Sequence, residues 1–439
     1  MNLANKVLIA LFLGIVAGLI INLLNLDAIV WFDQYIINGA FHVIGKLFVN
    51  ALKMLVVPLV LFSLIPGIIG IGDIRLLGRI GTKSFVLYIA TTAIAITTAV
   101  IFAVIFKVGA GSSISIDTVS GFEAKEPRTF ADTLISIVPS NPIQALAQGD
   151  MLAIIFFAIF FGIALLSVAK RAPDLIKVID QVNATVMQMV TMVMWFAPYA
   201  VFCLLAKVIA ELGPDILGSL AKYFFVLIAA LFFHMLVTQM LLLKFFTGLS
   251  PIKFLKKIRT AQIFAFSTSS SGATIPITLK AVQDRLGVNK SVASFGVPFG
   301  ATINMDGTAM MQGVATVFIA TLYGIDLTLG SYATIVVTAV LASIGTAAVP
   351  SVGTVLLVMV FDQVGLPAEA IGLIIGVDRV LDMVRTSVNV TGDAVITSIV
   401  AKSENMLDVD IYNDPEAGML DEDDVGIHLD ESGQIESPK

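Results

Sequence analysis

A largely apolar run between Asp378 and Asp393 is interrupted by five ionisable side chains, Asp378, Arg379, Asp382, Arg385 and Asp393, and by hydrogen-bonding ones that include Thr386 and Asn389. A helix advances about 100° per residue, which puts Asp378, Asp382, Arg385, Asn389 and Asp393 on one stripe about 80° wide. A charge at mid-bilayer costs about 2.5–3.5 kcal/mol on the insertion scale, so such a stripe must face the protein interior or a cavity. Arg385 offers a planar fork suited to a carboxylate. Asp382 can accept hydrogen bonds from an ammonium group, and Thr386 and Asn389 add neutral ones. A cationic fork beside an anionic acceptor suits a zwitterion with one extra carboxylate. The plainer alternative is an intrahelical Asp382–Arg385 salt bridge, which leaves Asn389 and Asp393 without a role.

Three further polar interruptions could complete such a site. Ser269, Ser270, Ser271 and Gly272 break one apolar region, and the stretch through Val349, Pro350, Ser351, Val352 and Gly353 breaks another. Both can supply hydroxyls, free backbone N–H groups and the positive ends of half-helices to an anion. In the third, Gly300 to Thr308, small and polar residues predict local unwinding, with freed carbonyls as ligands for a hard cation. Asp306 and Asp393 have no basic neighbour in sequence, so either could bind a cation or carry a proton. Tyr88, Thr91 and Thr92 place hydroxyls on an apolar span, where such groups also serve as packing glue.

The elements that must position these residues are membrane helices. The 439 residues are 57% hydrophobic and 13% charged, with a mean hydropathy of +0.96; a soluble domain is about 25% charged. The 26 basic residues do not exceed the 32 acidic ones, so nucleic acid is not an expected partner. One cysteine, Cys203, and three scattered histidines argue against a disulfide framework or a zinc site. Apolar runs predict spans near 7–25, 37–70, 84–108, 150–169, 176–210 and 217–245, with Pro58, Pro66 and Pro198 as kink positions. The first run lacks a cleavage site and is expected to be a retained span. The polar stretch from Gly109 to Asn141 is expected to be an outer loop.

Bases gather in alternate connections: Arg75, Arg79 and Lys83; Lys170, Arg171 and Lys177; Lys253, Lys256, Lys257 and Arg259. The positive-inside rule then predicts a cytoplasmic N-terminus. Region 252–285 is basic at both ends and polar in the middle, as expected of a segment that enters and leaves on the cytoplasmic side. Region 331–361 has acidic or neutral flanks and should dip in from outside. Such breaks are tolerated only where they face protein or water. Each precedes a full span, 291–323 and 369–402, and hairpin plus helix in two opposite orientations is the inverted-repeat pattern of secondary transporters. From Ser403 onward there are 12 acids and one base, a composition that predicts a solvated extension.

Taken together, Ser269-Ser270-Ser271-Gly272, Asn304-Met305-Asp306-Gly307-Thr308 and the run from Asp382 to Asp393 resemble the dicarboxylate/amino acid:cation symporter family, from about residue 5 to 405. That family includes archaeal aspartate transporters and the excitatory amino acid transporters. The resemblance implies an all-α polytopic membrane protein with eight transmembrane helices and two re-entrant helical hairpins. It implies a homotrimer in the bilayer whose transport domain slides against a static scaffold. Carried over by position, Asp382 would hold the substrate amino group and Arg385 the side-chain carboxylate, with Thr386 and Asn389 assisting. The main-chain carboxylate would fall to Ser270, Ser271 and the backbone from Val349 to Gly353, with Ser269 and Thr308 beside it.

The resemblance also implies three sodium sites. One uses Gly300, Asn304, Asn389 and Asp393. A second uses the backbone of Thr302, Met305, Ser343, Ile344 and Thr346. A third uses Tyr88, Thr91, Thr92, Asn304 and Asp306. The family's arginine at the position of Ser269 or Met383 is absent, and Arg379 could supply that charge from another backbone position.

The expected domain plan is scaffold over 1–75 and 109–215, transport domain over 76–108, 216–250 and 251–402, and an acidic cytoplasmic tail over 403–439. The expected function is sodium-coupled uptake of L-aspartate and/or L-glutamate across the plasma (inner) membrane, with co-transported sodium, no organic cofactor, no enzymatic activity and both termini cytoplasmic. Proton coupling, C4-dicarboxylate transport and an anion channel are the alternatives. An intramembrane protease lacks its general base, because His42 and His234 lie far in sequence from the polar hairpins.

Overall fold

The computed structural model describes residues 3–69, 77–110, 135, 137–344 and 351–418. Thr346, Val349 and Pro350 of the expected site, most of the polar stretch 109–141 and the acidic run after 418 lie outside the described residues.

The described chain is helical. The helices are α1 Leu3–Leu23, α2 His42–Ile69, α3 Thr82–Ile105, α4 Pro142–Gln148, α5 Met151–Ser167, α6 Pro173–Met194, α7 Ala197–Leu212, α8 Asp215–Phe233 and α9 Gln239–Thr247. They continue as α10 Pro251–Thr268, α11 Ser271–Lys280, α12 Lys290–Ile303, α13 Asp306–Leu322, α14 Leu329–Ile344, α15 Val352–Gln363, α16 Ile371–Ser403 and α17 Val409–Asn413. Proline opens α4, α6, α7 and α10 within the first two positions, where its missing N–H costs no helical bond. Asn141 and Asn289 cap α4 and α12 through their side chains, satisfying donors the helix leaves free.

Among the described residues, Val30–Pro66, Arg79–Ile105 and Ile216–Thr247 are long and apolar enough to cross a membrane. A fourth such stretch, Pro173–Met194 with Ala197–Glu211, bends by 47° at its break. Pro198 lies just after that break, as its kink assignment predicts. Pro58 and Pro66 stay inside α2. The outer surface carries Phe12, Trp31, Ile105, Phe160, Trp195, Phe225 and Phe245 exposed, an apolar envelope suited to lipid rather than water.

The first and third polar interruptions are breaks between helices, and the described part of the second begins at Ser351. At the first, Ser269 takes a left-handed conformation (φ 53°) between α10 and α11, and the two arms pack on each other. At the second, α14 and α15 also pack together, and Ser351 precedes α15 with φ 66°. At the third, Asn304 and Met305 interrupt the helical run between α12 and α13.

Helices α13 and α16 form the centre. All of α13 is buried except Thr321, and α16 is buried along most of its length. A helix buried on every side has no solvated face on which to place polar groups, so its polar side chains must find partners inside. Helix α16 touches α3, α8, α9, α10, α11, α12, α13 and α15, and α13 touches α3. Helices α1 and α7 pack on each other, α2 packs on α5, α6 and α7, and α1, α2 and α7 also touch α16.

Candidate binding site and family

The stripe expected on the last span is buried. Asp378, Asp382, Arg385, Thr386, Asn389 and Asp393 are each less than 9% exposed, and Arg385 is wholly enclosed. Arg385 Nη2 donates to Asp382 Oδ1 at 2.9 Å and lies 2.8 Å from Asp378 Oδ1. Asp382 Oδ2 accepts the backbone N–H of Ser351 at 3.1 Å, so the tip of the second hairpin is tied to the stripe. Asp378 Oδ2 accepts from Thr354 Oγ1 at 2.6 Å. Arg379 Nη1 stands 3.9 Å from Asp382 Oδ2.

The salt bridge between Asp382 and Arg385 therefore exists, but it does not exhaust the guanidinium. Nε and Nη1 of Arg385 are buried with no partner among the described residues. Buried charged donors without acceptors cost free energy, and a carboxylate has the charge and lone pairs to offset that cost. Next to the stripe lies a cavity of about 650 Å³, within the usual size range of about 300–1,000 Å³ for small-molecule sites. Its lining includes Ser351, Thr354, Asp378 and Arg379 together with Phe48, Leu52, Met187 and Met194.

Thr386 Oγ1 donates to the carbonyl of Asp382 at 2.8 Å. Asn389 Oδ1 accepts the backbone N–H of Gly307 at 2.7 Å and its Nδ2 lies 3.3 Å from Met305 Sδ, which brings the α12–α13 break onto the stripe. Thr308 is buried, and a Cβ on Gly353 would meet Thr308 Cγ2 at 2.4 Å. Gln312 Nε2 donates to the Gly353 carbonyl at 3.3 Å. In the first hairpin, Ser270 caps α11 by accepting from Ala273 N at 3.1 Å, while Ser269 and Ser271 are buried. The long arm of this hairpin is bonded to α16: Gln262 Nε2 donates to Thr391 Oγ1, and Ser387 Oγ donates to the Gln262 carbonyl, both at 2.9 Å.

The hydroxyls expected to surround a cation also converge. Tyr88 Oη donates to the Gly296 carbonyl at 2.9 Å, and Thr91 Oγ1 lies 3.5 Å from Asn304 Oδ1. Thr92 Oγ1 donates to Asp306 Oδ1 at 2.8 Å, and Asn304 Nδ2 donates to Asp393 Oδ1 at 3.0 Å. Asp393 and Tyr88 lie close against Gly300: a Cβ there would lie 2.5 Å from Asp393 Oδ1 and 2.7 Å from Tyr88 Oη. Carboxylates, hydroxyls and amide oxygens are the ligands a hard cation takes. Of the remaining expected ligands, Thr302 Oγ1 donates to the Phe299 carbonyl and Ser343 Oγ to the Val340 carbonyl. Ile344 is the last residue of α14.

Residues 3–403 match the sodium:dicarboxylate symporter family. The chain belongs to that family. It is 34% identical to the proton/glutamate-aspartate symporter of Escherichia coli (strain K12) over 417 residues, 93% of this chain and 94% of the relative. It is 33% identical to the proton/sodium-glutamate symport protein of Bacillus subtilis (strain 168) over 412 residues, 92% and 93% of the two chains. Excitatory amino acid transporter 2 of Mus musculus is 33% identical over 424 residues, 82% of this chain and 73% of the relative. The family expected from three short motifs is thus matched along nearly the whole chain. As a member of the sodium:dicarboxylate symporter family, the chain is a multi-pass membrane transporter and not an enzyme. The two bacterial relatives are named as glutamate-aspartate and glutamate symporters.

The structure adds residues that the sequence did not single out for the site. Asp306 has no basic neighbour in sequence, yet His234 Nε2 lies 3.0 Å from its Oδ2. Seventy-two positions separate the two, and only helix packing brings them together. Gln239, Gln312 and Thr354 likewise enter through tertiary contacts. Asp378 was visible as part of the stripe, but nothing local assigned it to Arg385.

Proposed function

We propose that this chain is a secondary active symporter that takes up L-aspartate and L-glutamate with sodium. The observation that carries the reading is the enclosed Arg385, held by Asp378 and Asp382 with two nitrogens lacking a partner among the described residues. A side-chain carboxylate would take those donors, and the substrate ammonium would bind Asp382. The main-chain carboxylate would meet the broken tips at Ser269–Ser271 and Val349–Gly353. Thr386, Asn389 and Thr308 would complete the enclosure.

Sodium is cargo in this reading. Asp393 and Asp306 are buried carboxylates 89 and 72 positions from the side chains Asn304 and His234 that approach them. With no ion present they repel one another and the incoming acidic substrate. Sodium at the Gly300, Asn304, Asn389 and Asp393 group would neutralise one carboxylate. Sodium at the Tyr88, Thr91, Thr92, Asn304 and Asp306 group would neutralise the other. A third ion at Thr302, Met305, Ser343, Ile344 and Thr346 would order the second hairpin. Ion and substrate then stabilise each other's binding, and that coupling is reciprocal.

We further propose eight spans with two re-entrant hairpins in inverted repeats, and an elevator motion in a homotrimer. Residues 76–108 and 216–402 would move against a scaffold of 1–75 and 109–215, with the acidic tail 403–439 in the cytoplasm. The alternate basic loops support a plasma-membrane orientation with both termini inside. A second reading, coupling to protons, draws on the relatives named for proton symport. Uptake of labelled aspartate into proteoliposomes separates them: an inward sodium gradient should drive accumulation at constant pH. Uptake that follows a proton gradient in sodium-free buffer, and ignores sodium, would reject sodium as the ion.

A further inference from the structure

Asp306 is held on its far side by an element absent from the site as first read. Helices α8 and α9 are joined by a wide, π-helical turn, His234–Thr238. His234 Nε2 reaches Asp306 Oδ2 at 3.0 Å, and Gln239 Nε2 approaches the same oxygen at 3.4 Å. Gln239 Nε2 also donates to the Val388 carbonyl of α16 at 3.3 Å. The other oxygen, Oδ1, accepts from Thr92 at 2.8 Å. His234, Gln239 and Asp306 are each no more than 1% exposed.

The turn explains why two residues five apart meet one carboxylate. In a regular α-helix positions five apart diverge by about 140°. A π turn closes i to i+5 and brings them to one face, and such bulges recur at functional sites. Packing leaves the group little room: a Cβ on Gly392 would lie 2.7 Å from Asn304 Nδ2 and 2.9 Å from Gln239 Nε2. The carboxylate is therefore divided, with Oδ2 occupied by the bulge and Oδ1 turned toward Thr92.

We infer that His234 and Gln239 are positioning residues that clamp Oδ2 of Asp306 and present Oδ1 to a sodium ion. This rests on the sodium reading of the Tyr88, Thr91, Thr92, Asn304 and Asp306 group. Partners that orient a metal ligand change ion affinity by about 10–100-fold when removed, without touching the ion.

The test uses the full-length chain purified in detergent, with no amino acid present. Thermal stabilisation is titrated with sodium chloride against choline chloride at constant ionic strength. His234→Phe and Gln239→Leu should each raise the half-saturating sodium concentration by about tenfold or more. His234→Gln, which keeps an amide donor, should recover most of that loss. Aspartate affinity by calorimetry at saturating sodium should stay near wild type in all three, a split that general loosening of the fold would not produce. Gln239→Leu carries the test alone if His234→Phe does not fold. A half-saturation equal to wild type in the variants, or no recovery in His234→Gln, overturns the proposal. A wild-type chain that sodium does not stabilise overturns it together with the sodium reading. Sodium stabilisation with no aspartate binding by wild type overturns the substrate reading alone, and a raised half-saturation in the variants would still support the clamp.

Discussion

Arg385 Nη2 lies 2.8 Å from Oδ1 of Asp378, seven residues earlier on α16. The two positions share a helix face, and neither is more than 4% exposed. Asp378 thereby draws the guanidinium away from full engagement with Asp382. Asp378→Asn keeps the shape and removes the charge. Arg385 should then close onto Asp382, leaving it less available to an ammonium group. Aspartate affinity is expected to fall by about tenfold, or 1.4 kcal/mol, measured by calorimetry at saturating sodium.

Arg385→Ala removes the only wholly buried arginine among the described residues. Acidic substrates should lose at least about a hundredfold in affinity, roughly the 3 kcal/mol of a charge-assisted hydrogen-bond pair. Neutral amino acids should lose far less. Competition assays with aspartate and serine give the comparison, and unchanged aspartate affinity would remove Arg385 from the site.

Gly300→Ala places a methyl group 2.5 Å from Asp393 Oδ1 and 2.7 Å from Tyr88 Oη. Neither side chain can retreat into the surrounding core, where both are buried. Sodium affinity should drop by about tenfold or more, because Asp393 loses its position as a ligand. Sodium-dependent thermal stabilisation measures this without substrate.

Glu404, just past the end of α16, bonds Lys83 Nζ at 2.5 Å and lies 2.6 Å from Arg79 Nη2. The Lys83 hydrogen bond, with Arg79 beside it, outweighs the cost of burial and holds the carboxyl below its usual 4.5. A depressed carboxylate contributes stability that is present above the unfolded value and is lost as pH falls through the folded one. The junction between α16 and the start of α3 should therefore loosen only as pH falls below the usual carboxylate range. Hydrogen exchange at residues 400–405 across pH 7 to 3.5 should show that loss. Glu404→Gln should exchange faster at pH 7 and change less with acid.

The sequence alone indicated a helical membrane chain and the rough position of its apolar runs, because membrane spans demand long apolar runs and interruptions in them are costly; the bend between Met194 and Ala197 and the π turn at His234–Thr238 came from the structure. The breaks at Ser269 and at Asn304 were visible as polar residues where none is tolerated without a partner; the stretch expected to break before Ser351 lies outside the described residues. The stripe on α16 was legible for the same reason, since helical periodicity puts its members on one face. Tertiary structure decided which charges meet. His234 stands 72 positions from Asp306, and Asn304 stands 89 from Asp393. Periodicity describes one helix at a time, and contacts between helices depend on how their faces pack, which no local pattern encodes.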